Sequence, residues 1–123
     1  MNQELTRISR EQLYMDIALL ISKRSTCTRR QVGAIAVKDN RTIASGYNGV
    51  LPGWDPSTGL DEEGNSKTVH AEANLIAYSA KQGIALEGST IYLTLSPCEK
   101  CAELLIQSGI KEVVFLEQYR KIS

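Results

Sequence analysis

Apolar positions recur along this chain with two different periods, and the switches between them divide it into elements. Leu13, Ile17, Leu20 and Ile21 fall at helical spacing and, with Arg24, predict an amphipathic helix over residues 10–24 whose apolar stripe is core. Ser9-Arg10-Glu11-Gln12 ahead of it has the form of a capping box, Ser at the N-cap and Gln three positions on. Val32–Val37 and Thr42–Tyr47 are β-rich runs joined by Lys38-Asp39-Asn40-Arg41, a hairpin signature. Both runs are largely apolar and contain Ala and Gly, so helices are expected over both faces of the sheet. From Pro52 to Lys67 no period survives and turn formers dominate; a loop that long in a compact domain is functional or disordered. Helical spacing returns over residues 69–82, with Gly83 in the position that closes a helix. Ile91–Leu95 then reads as a strand, Cys98–Ser108 as a helix closed by Gly109, and Val113–Leu116 as another strand. Strand, helix and strand with short links form a βαβ unit, which makes these two strands parallel neighbours.

Composition narrows the class. A chain of 123 residues is one domain, 1–123, large enough for a core without staples. Fourteen basic residues balance fourteen acidic ones. Long nucleic acid is normally gripped with a basic excess, so it is not an expected partner; a small ligand with one phosphate needs only one or two placed arginines. No apolar run approaches the roughly 20 residues of a membrane helix, so no membrane partner is expected. Met1–Arg10 is polar and lacks the apolar stretch of a signal peptide. Three cysteines, two in a metal spacing, suit a reducing compartment, and the expected location is cytoplasmic.

The chemistry sits in two short motifs, His70-Ala71-Glu72 and Pro97-Cys98-Glu99-Lys100-Cys101, and His70 is the only histidine. A structural zinc takes four protein ligands, a catalytic one three plus water. His70, Cys98 and Cys101 make three, and Glu72 is left as a carboxylate beside the metal. Both motifs open helices, whose positive ends favour thiolate over thiol. Cys-x-x-Cys puts both sulfurs on one face of a first turn, and Pro97 suits a helix entry. The rival readings are a closed structural site completed by Cys27, and Glu72 as a carboxylate placed only for the helix dipole. Asn48, in Gly46-Tyr47-Asn48-Gly49, is either a turn residue chosen for left-handed backbone or a ligand contact. Arg29-Arg30 would ordinarily be a solvated basic pair, and Tyr119-Arg120 a frayed end.

From Val32 to Tyr119 the chain resembles the deoxycytidylate deaminases of the cytidine deaminase superfamily. Arg30-Gln31-Val32-Gly33-Ala34, Gly46-Tyr47-Asn48-Gly49, Val69-His70-Ala71-Glu72-Ala73-Asn74, Ser96-Pro97-Cys98 with Cys101-Ala102, and Gly109-Ile110 carry the likeness. The zinc motifs mark the superfamily, where a His-x-Glu and a Pro-Cys-x-x-Cys serve zinc-dependent base deamination; Gly-Tyr-Asn-Gly points to the deoxycytidylate branch.

The resemblance implies a three-layer α/β/α domain with a mixed central sheet. It implies one zinc per chain on His70, Cys98 and Cys101, Glu72 as proton shuttle, and hydrolysis of dCMP to dUMP and ammonia. The Ala71 backbone would touch the pyrimidine, Asn48 the deoxyribose, and Arg30, Tyr119 and Arg120 the 5′-phosphate. Activation by dCTP and inhibition by dTTP would act near Gly46, Asn48, Gly49 and Asp55, where Asp55, Glu62 and Glu63 could hold a Mg2+. Many members bind a second zinc through a His-Cys pair after Gly-Tyr-Asn-Gly; Val50-Leu51-Pro52-Gly53-Trp54-Asp55 has neither, which leaves Cys27 a small buried residue or a free thiol. The family domain usually continues past Tyr119 into a fifth strand and a final helix, so a second subunit is expected to close the sheet edge. The expected assembly is a homo-oligomer, a hexamer built from dimers. The alternatives are a deaminase of another cytosine nucleotide such as dCTP, of a free nucleoside or of tRNA adenosine, and a non-catalytic zinc-stabilised binding module.

Overall fold

The computed structural model describes residues 6–27, 29–50 and 69–117, and in them the two periods become three helices and four strands. In chain order these are α1 (Arg10–Ser22), β1 (Gly33–Lys38), β2 (Arg41–Tyr47), α2 (Ala71–Gln82), β3 (Thr90–Leu95), α3 (Glu99–Gln107) and β4 (Glu112–Glu117). The sheet order is β2-β1-β3-β4. β1 runs antiparallel to both β2 and β3, while β3 and β4 are parallel, as the βαβ reading requires. Between β1 and β2, Asp39 and Asn40 both take positive φ, the backbone of a tight two-residue hairpin turn.

Alternation along the strands builds two cores. Ala34, Ala36, Ala44, Ile91 and Leu93 face α2 and α3, where Ala71, Leu75 and Leu105 close the layer. Ile35, Val37 and Tyr92 face α1, against Tyr14, Met15 and Ala18. The result is the expected three-layer α/β/α sandwich around a mixed sheet. None of the helices among the described residues is long and apolar enough to cross a membrane.

The α1 face corrects one expectation. The helix stops at Ser22, and only half of the Leu13/Ile17/Leu20/Ile21 stripe meets the core: Ile17 and Ile21 pack against it, while Leu13 is 41% and Leu20 65% exposed. Tyr14, Met15, Ala18 and Ser22 are buried instead. The cause is close approach at Gly33, where an added Cβ would stand 2.1 Å from the Ala18 carbonyl. Backbones that near each other admit only the small Ala18 and Ser22 at that point, while Tyr14 and Met15 fill the layer nearer the start of the helix. The Tyr14 hydroxyl donates to the Asn40 carbonyl at 2.8 Å and ties α1 to the hairpin turn. Ser9 caps α1 by accepting from the Gln12 amide, but the Gln12 side chain donates to Asp16, so the reciprocal half of the capping box is absent.

Candidate active site

The three donors are delivered by two helix starts. His70 is the N-cap of α2 and Cys98 the N-cap of α3; both have extended backbone and neither side chain caps its helix, which leaves imidazole and thiol free to point elsewhere. Pro97 therefore precedes the cap rather than occupying the first helical position. Cys101 lies one turn into α3 and is buried. The His70 Nδ1 is 3.6 Å from the Cys98 Sγ and 3.4 Å from the Cys101 Sγ. Tetrahedral zinc with bonds of about 2.0 Å to nitrogen and 2.3 Å to sulfur would separate N and S by about 3.5 Å. All three donor atoms lie within 4.8 Å of one another, and this is the one such donor group among the described residues. Cys27, buried and unpaired, is not part of it, so the described residues form an open three-ligand set rather than a site closed by Cys27.

Electrostatics asks for a cation at this point. Glu72, 4% exposed on the first turn of α2, is not one of the clustered donors. Burial holds its carboxyl above the ordinary carboxylate range, against the smaller opposing pulls of its own backbone N–H and the His70 ring. Burial, the nearby Glu72 carboxylate and the Cys98 sulfur push the Cys101 thiol up to about 12. A metal cation bound between the imidazole and the two sulfurs would favour the thiolate form of Cys101 that burial disfavours. Nitrogen and sulfur donors at these separations fit zinc.

The Gly46-Tyr47-Asn48-Gly49 segment is the scaffold that sets His70 in place. A Cβ on Gly46 would stand 2.5 Å from the Ala71 carbonyl and 2.8 Å from the Leu75 amide, so α2 starts directly against β2 only because the position is glycine. Gly49 pairs with Val69, the residue before His70, through reciprocal bonds of 3.2 and 2.7 Å. The Asn74 amide donates to the Tyr47 carbonyl at 2.7 Å and locks the first turn of α2 to the end of β2. Ala71 is fully buried, its side chain in the core.

Asn48 is buried and has no positive φ, so left-handed backbone does not explain it. Its Oδ1 accepts from the Val32 amide at 2.8 Å and its Nδ2 donates to the Arg30 carbonyl at 2.6 Å, which clamps the approach to β1. The Arg30 guanidinium extends from that clamp and forms an ion pair with Glu117, the last residue of β4. Sequence reasoning missed Glu117, since 87 positions separate the partners and no spacing connects them. Tyr119, Arg120, Asp55, Glu62 and Glu63 lie outside the described residues.

Residues 8–117 match the family described as the cytidine and deoxycytidylate deaminase zinc-binding region. The chain belongs to this family. Among relatives, it is 40% identical over 120 residues to ComE operon protein 2 of Bacillus subtilis, covering 94% of this chain and 64% of that protein. It is 33% identical over 126 residues to the deoxycytidylate deaminase of Mycobacterium phage D29, covering 90% and 97% of the two chains. A solved dCMP deaminase of cyanophage S-TIM5, in complex with dCMP and dUMP, superposes with a TM-score of 0.84 at 36% identity, covering 89% of this chain and 82% of that one. A zinc-binding family region accounts for the donor group.

Proposed function

We propose that this protein hydrolyses dCMP to dUMP and ammonia. The observation that carries the reading is the buried Glu72 carboxyl beside the His70–Cys98–Cys101 donor group, in a chain similar to deoxycytidylate deaminases. His70, Cys98 and Cys101 would hold one zinc, which when bound is a Lewis acid able to make water nucleophilic at neutral pH. Glu72 takes a proton from the attacking water and passes it to N3 of the cytosine as the oxygen adds at C4. It then carries the second water proton to the amino group; the C4–N bond breaks, ammonia leaves and the uracil carbonyl remains. A carboxyl raised by burial suits both halves, since base and acid work best when the pKa nears the working pH.

Arg30 is assigned to the 5′-phosphate: it stands at the sheet's ligand-bearing edge on a backbone braced by Asn48. The Ala71 backbone is assigned to the pyrimidine, and Asn48, together with Tyr119 and Arg120, to the sugar and phosphate. Three free cysteines suit a reducing cytoplasm. Assembly into a homo-oligomer, a hexamer in this reading, is supported by the apolar Phe115, Leu116 and Ile106 left exposed at and beside the β4 edge. Regulation by dCTP and dTTP would act where Gly49 leads toward Asp55, with Mg2+ beside the effector phosphates; its support is the likeness to the deoxycytidylate branch.

An ammonia-release screen against dCMP, dCTP, deoxycytidine, cytidine and a tRNA anticodon stem tests the substrate. Turnover is expected with dCMP first; preference for any other member refutes the assignment. Adding dTTP at subsaturating dCMP should lower the rate and dCTP should restore it, and an unchanged saturation curve removes the effector site.

A further inference from the structure

The Arg30–Glu117 ion pair lies across the one strand end that leads into the metal ligands. Arg30 precedes β1, whose first residue, Gly33, donates its amide to the Thr94 hydroxyl near the end of β3. Glu117 ends β4 and pairs with Leu95 on the opposite side of β3. Its carbonyl accepts from the Ser96 amide at 2.8 Å, two residues before Cys98. The side-chain bridge therefore spans the carboxyl end of β3, the edge at which open α/β sheets take their ligands. Both backbones are fixed, one by Asn48 and one by Ser96, while both side chains are about half exposed, 49% and 58%. An exposed pair of this kind is weak and exchangeable. A phosphate, with more charge and three acceptor oxygens, competes well for the same guanidinium.

We propose that Glu117 is a specificity-determining residue: its carboxylate occupies Arg30 in the free protein and is displaced by the 5′-phosphate of the nucleotide. This rests on the assignment of Arg30 to the phosphate. Glu117 keeps the guanidinium extended over the ligand edge, and it charges each nucleotide for its removal. Nucleosides carry no phosphate and gain nothing from Arg30 with or without Glu117, so the carboxylate tempers the advantage of a nucleotide over its nucleoside. The carboxylate also repels additional phosphates more than a single one, which favours a monophosphate over a triphosphate.

The test is calorimetric binding of dUMP and deoxyuridine, a pair differing only in the phosphate, to the zinc-loaded protein and to Glu117→Gln, Arg30→Ala and the double variant. Glu117→Gln should bind dUMP roughly two- to five-fold more tightly, the range an exposed ion pair can supply, with deoxyuridine unchanged. The gain should vanish when Arg30 is already alanine. An unchanged or weakened dUMP affinity in Glu117→Gln overturns the proposal, as does a gain that persists without Arg30. The underlying assignment fails separately, if Arg30→Ala alone does not weaken dUMP relative to deoxyuridine.

Discussion

The two faces of the sheet receive alternate residues of the same strands and differ in what closes them. On the α1 face large side chains fill most of the layer around one close approach, at Gly33: Tyr14 and Tyr92 pack as tilted rings 5.2 Å apart, with Met15 and Ile35 beside them. On the α2/α3 face much of the contact is Ala34, Ala36, Ala44, Gly46 and Ala71. Small residues bring the backbone of α2 against β2 and so carry the start of that helix, with His70 and Glu72, to the carboxyl end of β3, where α3 starts with Cys98. The first face supplies stability through volume. The second supplies position through closeness, and the chemistry depends on position.

Breaking the second face at the metal should have the largest effect. Cys101→Ser removes one of three donors, and zinc content after dialysis should fall from one per chain to well below it, with deaminase activity lost. Cys27→Ser should leave the zinc content at one per chain, because Cys27 stands outside the donor group. Elemental analysis distinguishes the two, and metal loss from Cys27→Ser would revive the closed site.

Gly46→Ala comes next. Its methyl has no room against the Ala71 carbonyl and the Leu75 amide, so α2 must move. Stability should drop by about 1–3 kcal/mol. The rate per folded molecule should also fall, by roughly ten- to a hundredfold, because His70 and Glu72 travel with the helix. Met15→Ala on the other face should cost about 2–5 kcal/mol in urea unfolding and leave the rate per folded molecule unchanged. Equal losses of rate from the two variants would erase the distinction between the faces.

Much of this was legible in the sequence. Periodicity locates every described helix and strand to within a few residues, since each buries one face, and the ligand motifs are local enough to be read from spacing. The α1 stripe was half right: Ile17 and Ile21 pack inward, but backbone approach at Gly33 seats Ala18 and Ser22 against the sheet and rotates the buried face toward Tyr14 and Met15, away from Leu13 and Leu20. Of the two sequence readings of Asn48 the left-handed turn fails, and the clamp its amide puts on residues 30–32 was not foreseen, being a contact made across the end of the sheet. Glu117 was invisible because an ion pair between distant residues leaves no trace in either neighbourhood. Gly-Tyr-Asn-Gly carries the family likeness, and its physical work here is to seat the start of α2.

In the proposed mechanism His70, Cys98 and Cys101 hold the metal while Glu72 moves the proton, two separable tasks. Glu72→Ala, assayed for zinc content and for ammonia release from dCMP in the same preparation, separates them directly. Zinc should remain at one per chain while the rate falls by about 10²–10⁴-fold, the range for a lost general acid–base. A variant that keeps zinc and still deaminates dCMP at the parent rate would rule out Glu72 as the proton carrier.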